Sequence, residues 1–224
     1  LLDDSAARTY QAQSGLIGGP FPTHKTAMRF TGERTLAEGA GELVLRFESP
    51  ELGGLKLVKT YTLRRGDYVA QVRHEVVNTG GQPVSPQLYV QLVRDGNPAP
   101  GGTSFYSTFT GPAFYTDAKK FQKVEFSDIE KNKAEFVTSS PDGWVAMVQH
   151  YFASAWLLPD GKPHENFARK IDQNLYAAGM ITPIGAIAPG ATAAVDARLF
   201  IGPQEEKVLE SIAPGLELVK DYGF

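Results

Sequence analysis

Hydrophobic and polar residues alternate with a period of two over several segments in the first half of the chain. In residues 54–65, GLKLVKTYTLRR, the apolar positions that share one face are Leu55, Leu57, Tyr61 and Leu63. Residues 42–49 and 67–78 alternate in the same way, with apolar faces formed by Leu43, Leu45 and Phe47 and by Tyr68, Ala70, Val72 and Val76. Such alternation is typical of half-buried antiparallel strands. Residues 84–94 and 192–201 are predicted to be further strands.

Short turns that contain glycine, proline or asparagine connect these segments at 65–66, 78–81 and 188–190. Many strands with few helical stretches between them predict an all-β sandwich. Residues 11–26 hold several glycines and prolines and show no clear period, so they are interpreted as a long loop or an irregular edge. Residues 117–135 are charged and are compatible with an exposed strand followed by a helical turn.

The most apolar segment runs from Trp144 to Leu158, between the turns Pro141-Asp142-Gly143 and Pro159-Asp160-Gly161. As a helix its length would be about 22 Å, which is short of the roughly 30 Å hydrocarbon core of a bilayer. Its β-branched and aromatic residues favour strands. We therefore expect two strands with a bend near Ala153-Ser154. Apolar residues on both faces indicate a central position in a sheet.

The last part of the chain has a helical pattern. Pro203 suits the first position of a helix, and Glu205 and Glu206 would follow in the first turn, where carboxylates complement the helix dipole. The stripe Val208, Leu209 and Ile212 would face inward. Pro214-Gly215 would break the helix before a second short piece, Leu216 to Tyr222. The predicted organisation is a sandwich domain over 1–202 and a C-terminal helical segment over 203–224.

Composition limits the classes of function. The 22 basic and 25 acidic residues give a net charge of −3, which argues against nucleic acid as a partner because phosphate binding needs concentrated lysine and arginine. The absence of cysteine excludes disulfides, thiolate catalysis and cysteine-ligated metals. No basic stretch followed by an apolar one appears at the start, so we expect no signal peptide in these residues, and no segment has the roughly 20 continuous apolar residues of a spanning helix.

Motifs for catalysis or metal binding are absent. Two of the four histidines, His24, His74, His150 and His164, precede glutamate, but neither begins the zinc motif HExxH. The chain also lacks a nucleophile elbow, a P-loop and a dinucleotide fingerprint. Each histidine is interpreted as a polar surface or strand residue. No catalytic residue, metal ligand or cofactor is predicted.

Two features leave alternatives open. Arg65-Gly66-Asp67 matches an adhesion tripeptide, but three residues often match by chance and a hairpin turn explains them better. Aromatic residues cluster between 105 and 126 and are compatible with either a groove for an apolar ligand or extended peptide, or core packing. These residues are Phe105, Tyr106, Phe109, Phe114, Tyr115, Phe121 and Phe126.

Five stretches resemble the large periplasmic domain of the YidC-type membrane protein insertases of Gram-negative bacteria. They are YQAQSGL (10–16), LRRGDYVAQV (63–72), GWVAMVQHYFASAWL (143–157), LFIGPQ (199–204) and IAPGLELVKDYG (212–223). They occur in the family's order and cover nearly the whole chain. In that family the final segment leads into a transmembrane helix, so the resemblance implies a periplasmic ectodomain of an inner-membrane protein.

The resemblance implies a galactose-mutarotase-like β-supersandwich with short C-terminal helices packed on it. It also implies a non-enzymatic role in inserting and folding inner-membrane proteins, alone or beside the Sec translocon. The implied partners are accessory Sec subunits and, through a transmembrane region outside this chain, nascent membrane proteins. We expect a membrane-coupling helix with Val208, Leu209, Ile212 and Leu216. We expect partner-binding residues at Phe109, Phe114, Tyr115, Lys120 and Phe121.

The competing hypothesis is a carbohydrate-binding or sugar-epimerising domain on the same fold. Enzymes of the mutarotase-like class use a paired histidine and glutamate. No motif in this sequence carries that pair over, and fold alone does not define function.

Overall fold

Antiparallel strands account for most of the computed structural model, which describes residues 1–100 and 108–220. The strands are numbered in chain order: β1 Asp3–Asp4, β2 Thr9–Ile17, β3 Arg29–Gly32, β4 Glu42–Glu48, β5 Leu55–Arg64, β6 Val69–Asn78, β7 Gln87–Asp95, β8 Gly111–Thr116, β9 Lys120–Lys123, β10 Ser139–Ser140, β11 Trp144–Gln149, β12 Phe152–Leu157, β13 His164–Asp172, β14 Leu175–Pro183 and β15 Thr192–Pro203. The helices are α1 Phe126–Glu130, α2 Glu206–Ile212 and a 3₁₀ helix, Leu216–Val219.

The strands form two sheets. The six-stranded sheet has the order β1-β2-β7-β14-β13-β10, and the nine-stranded sheet has the order β3-β4-β5-β6-β15-β12-β11-β8-β9. The predicted all-β class with short C-terminal helices is confirmed. In the described part of the chain, no helix is both long enough and apolar enough to cross a bilayer.

The chain divides into two compact units. Unit 1 comprises residues 1–13, 90–180 and 200–224, and unit 2 comprises residues 14–89 and 181–199. Both units have cores of their own: Trp144, Trp156 and Phe114 are fully buried in unit 1, and Leu55 and Leu57 are fully buried in unit 2.

In unit 2, the alternating segments pair as neighbouring antiparallel strands. Leu45 of β4 lies opposite Tyr61 of β5, and Tyr61 lies opposite Val72 of β6. Because strand residues point alternately to the two faces, this register places the predicted apolar positions on one common face. The 65–67 tripeptide forms the connection between β5 and β6, where Gly66 has a φ of +81° and the Asp67 carboxylate accepts a hydrogen bond from the Val69 amide. The hairpin interpretation is therefore confirmed.

In unit 1, the apolar segment 144–158 forms the hairpin β11–β12, with β11 also paired to β8. Trp144 lies opposite Leu157 on one side and opposite Tyr115 on the other. Both strands are buried on both faces over nearly their whole length, which confirms the predicted central position. The charged segment 117–135 forms the strand β9 and the short helix α1, as expected.

Three local predictions are wrong. The hairpin turns at His150-Tyr151 rather than near Ala153-Ser154, because Tyr151 adopts a φ of +66° that the sequence pattern does not reveal. Residues 11–17 belong to β2 and not to a loop. Their polar side chains are bonded within the sheet, as where Gln91 of β7 donates a hydrogen bond to Gln13. Pro203 ends β15, and α2 begins only at Glu206.

Candidate functional site

The C-terminal segment, residues 206–219, packs within unit 1 through four buried side chains, of which Ala213 is the smallest. Leu209, Leu216 and Val219 are at most 1% exposed. Val208 and Ile212 are half-buried, so the predicted inward stripe is centred on Leu209. Burial of each leucine side chain contributes about 1.5–3 kcal/mol. The segment is therefore held as a part of unit 1 and not as a loose tail; the rest of the predicted second piece, 221–222, lies outside the described residues.

The break between the two helices rests on an aromatic pair. The Trp144 indole Nε1 donates a hydrogen bond of 3.0 Å to the Pro214 carbonyl, and the Tyr115 ring stacks on Trp144 with centroids 5.6 Å apart. Gly215 has a φ of +77°, and a Cβ at this position would lie 2.2 Å from Tyr115 Cε2. Glycine is required here both for its backbone conformation and for its lack of a side chain.

The junction before α2 is fixed by Gln204, a residue that sequence analysis did not single out. Its amide nitrogen donates to the Tyr151 carbonyl at 2.8 Å. Its side-chain Nε2 donates to the carbonyls of Gln149 at 2.8 Å and Phe152 at 3.1 Å. Three bonds to one hairpin tip leave the chain little freedom as it enters the helix.

The predicted partner-binding residues divide into a buried and an accessible group. Phe114 is fully buried and stacks on Phe136 at 4.6 Å, and Tyr115 is 7% exposed. Placing these two on a binding surface is wrong, because β8 lies between two strands and both its faces are covered. Lys120 is exposed, and Phe109 and Phe121 are half-buried. Phe105 and Tyr106 lie outside the described residues.

The accessible group lies along the end of the nine-stranded sheet. β9 carries Lys120 and Phe121, and the Lys123 ammonium lies 5.2 Å from the centroid of the Phe109 ring. Lysines on an edge strand discourage unspecific strand pairing, while the aromatic rings leave apolar area that a specific partner can cover. We call Phe109, Lys120 and Phe121 the β9 surface.

A buried polar cluster lies in unit 2 and was missed by the sequence analysis. The Lys59 ammonium donates to the Ser14 carbonyl, and a hydrogen bond of 2.8 Å joins His74 Nε2 and Ser14 Oγ. Lys59 lies directly opposite His74 on the neighbouring strand. The signal was available: Lys59 falls at an odd position between Leu57 and Tyr61, on the face that the alternation predicts to be buried.

Burial lowers the pKa values of the two basic side chains in this cluster. Desolvation lowers the pKa of Lys59 to about 8, and burial together with the positive charge of Lys59 lowers the pKa of His74 to about 3. His74 is therefore neutral near pH 7, and Ser14 is only 1% exposed. A nucleophilic role for Ser14 would need substrate access that this burial denies. In residues 1–100 and 108–220, no group of three or more acidic or histidine side chains is arranged to hold a metal ion.

The buried ammonium predicts an unusual dependence of stability on pH. The pKa of Lys59 is lower in the folded chain than in the unfolded chain. The free-energy cost of burying the charged ammonium is therefore full below pH 8 and vanishes above about pH 10.5. Lys59→Met removes this dependence. We expect the stability of the variant relative to wild type to fall by about 2 kcal/mol between pH 7 and pH 9.5, measured by urea unfolding.

Lys25→Met is the matched control, because Lys25 is exposed in the same unit and its ammonium stays hydrated in the folded chain. Its stability relative to wild type should change little over the same pH range. A Lys59→Met variant with the same flat profile would show that the Lys59 ammonium is solvated.

These features define a two-sheet, all-β domain that carries a docked helical C-terminal segment. The family model described as YidC periplasmic domain matches residues 1–224, and the chain belongs to this family. Two relatives are membrane protein insertases YidC, from Aromatoleum aromaticum, 53% identical, and from Burkholderia thailandensis, 54% identical. All of this chain aligns with each, but it covers only 41% and 40% of their lengths.

Solved structures show more distant similarity. A galactose mutarotase related enzyme from Lactobacillus acidophilus aligns with 77% of this chain and 70% of its own, with a TM-score of 0.47 and 10% identity. An alpha-galactosidase from Geobacillus stearothermophilus aligns with 86% of this chain and 30% of its own, with a TM-score of 0.46 and 12% identity. At these TM-scores nothing further about this chain follows from the two similarities.

Proposed function

We propose that this chain is the periplasmic interaction and scaffold domain of a membrane protein insertase, and that it aids insertion and folding of inner-membrane proteins, alone or with the Sec translocon. The family and the names of the relatives support this proposal. In the proposal, accessory Sec subunits bind the domain, whereas nascent membrane proteins contact the parts of the insertase that lie outside this chain.

The docked C-terminal segment is the observation that carries the scaffold role. Leu209 and Leu216 are fully buried in unit 1, and the Trp144–Pro214 hydrogen bond fixes the break between the helices. Because the segment is fixed to unit 1, any part of the protein that is joined to the segment is held in position relative to unit 1. We propose that it couples the domain to the membrane-embedded part of the insertase.

The β9 surface is the proposed contact for an accessory Sec subunit. It presents Lys120 in an exposed position next to the half-buried Phe121. A photo-crosslinking amino acid at position 121 of the full-length insertase should therefore capture an accessory Sec subunit. Position 44, an exposed valine of unit 2, is the control and should not capture it. Equal capture from both positions, or capture from position 44 alone, would remove the β9 surface from the proposal.

A non-enzymatic role agrees with the placement of the histidine–glutamate neighbours. His74 and Glu75, like His164 and Glu165, are consecutive residues of one strand, and such residues point to opposite faces. His74 and His164 are buried, whereas Glu165 is exposed. Neither pair can converge on one sugar oxygen. The chain should therefore leave the rate of galactose mutarotation, followed by polarimetry, at the uncatalysed value; an accelerated rate would contradict the proposal.

A further inference from the structure

A pocket of about 500 Å³ opens on unit 2, beside the buried polar cluster. Its volume lies within the range of roughly 300–1,000 Å³ that is common for small-molecule sites. Four of the lining residues come from the neighbouring strands β4 and β5, where Phe47 lies opposite Lys59 and Leu45 lies opposite Tyr61. The lining residues are Thr26, Met28, Leu45, Phe47, Lys59 and Tyr61.

The walls of this pocket are mainly apolar. The Phe47 ring contacts the Tyr61 ring edge-on with centroids 5.7 Å apart, and the Phe30 ring packs against Phe47 with centroids 5.2 Å apart. Leu45, Phe47 and Tyr61 are all half-buried, so apolar area remains open to a ligand. An aliphatic chain would cover this area without leaving polar groups unpaired.

Lys59, one of the lining residues, is a cation without an acidic partner in the described part of the chain. Lys59 is only 7% exposed, and its ammonium has the Ser14 carbonyl as its hydrogen-bond acceptor. In residues 1–100 and 108–220, no Asp or Glu forms an ion pair with it. A buried charge without a counter-ion is costly, and a ligand that brings one negative charge would offset this cost.

We propose that this pocket binds an aliphatic carboxylate, with the carboxylate on Lys59 Nζ and the alkyl chain along Phe47, Leu45 and Met28. A single lysine matches one negative charge, whereas phosphate groups are usually bound by several donors. A peptide with a free C-terminus would bring amide groups that need partners, and the two hydroxyls among the lining side chains, those of Thr26 and Tyr61, already have partners within the chain. An alkyl chain is the better match for such walls.

Dodecanoate is the probe that tests the proposal. Isothermal titration calorimetry at pH 7 with the 224-residue chain should show saturable binding, and dodecanol should bind at least tenfold more weakly. Lys59→Met should weaken dodecanoate binding at least tenfold, while Lys25→Met leaves it unchanged. Equal affinity for dodecanoate and dodecanol, or for Lys59→Met and wild type, would overturn the proposal.

A second measurement needs no variant. Dodecanoate should slow reductive methylation of Lys59 at least fivefold, read by peptide mass spectrometry, and leave methylation of Lys25 unchanged. An apolar peptide with a free C-terminus serves as the competing ligand. If that peptide protects Lys59 and dodecanoate does not, the site recognises chain termini and the aliphatic-carboxylate proposal is wrong.

Discussion

Gly143→Ala should destabilise unit 1 by about 4 kcal/mol or more, the size of effect that backbone strain combined with a severe clash produces. Gly143 has a φ of +96°, and a Cβ at this position would lie 1.7 Å from the Tyr115 carbonyl oxygen. Neither group can move easily, because Tyr115 is paired in the sheet opposite Trp144. The measurement is the shift in the midpoint of urea unfolding.

Gly161→Ala is the matched control, since the two glycines end identical Pro-Asp-Gly turns. Gly161 also has a positive φ, +72°, but nothing lies within 4 Å of a Cβ placed there. Only the conformational cost remains, about 1–2 kcal/mol. Equal midpoints for the two variants would mean that the close approach of Gly143 to Tyr115 does not exist in solution.

Leu216→Asp should release the C-terminal segment from unit 1 while leaving the strands folded. The change removes a fully buried leucine and replaces it with a carboxylate that has no place in an apolar contact. If the free energy that docks the segment falls by about 3 kcal/mol, amide hydrogen exchange in residues 206–219 should become roughly a hundredfold faster. Leu209→Asp should have the same effect, because Leu209 is equally buried.

Leu218→Asp is the control within the same 3₁₀ helix, because the Leu218 side chain is 43% exposed. Its exchange profile should match that of wild type within a factor of a few. If Leu216→Asp and Leu218→Asp accelerate exchange equally, the segment is not docked through its buried face.

The elements that follow a local pattern were predictable from the sequence. Period-two alternation located β4, β5 and β6, and the Pro-Asp-Gly turns bounded the hairpin of β11 and β12. β2 was missed because the polar Ser14 interrupts the apolar face that Tyr10 and Leu16 share, although Ser14 is itself buried and bonded to Lys59 and His74. Such a strand forms because it pairs with strands that are distant in sequence, and the local sequence pattern carries no information about that pairing.

The candidate site was predictable only in part, for the same reason. The apolar stripe indicated that Leu209 would be buried, since a helix on a core needs such a stripe. Aromatic clustering between 105 and 126 did not separate the buried Phe114 from the half-buried Phe121, because that difference depends on which strand lies at the end of the sheet. The contact of Gly215 with Tyr115 joins residues a hundred positions apart and has no local signature.

Insertion of inner-membrane proteins in cells that depend on the full-length insertase tests the coupling role of the C-terminal segment most directly. The full-length protein is supplied as wild type, Leu216→Asp or Leu218→Asp, at equal membrane levels. Leu216→Asp should fail to support insertion of inner-membrane proteins, and Leu218→Asp should support it as wild type does. Full insertion by Leu216→Asp, with its segment shown by hydrogen exchange to be released, would contradict the proposed coupling.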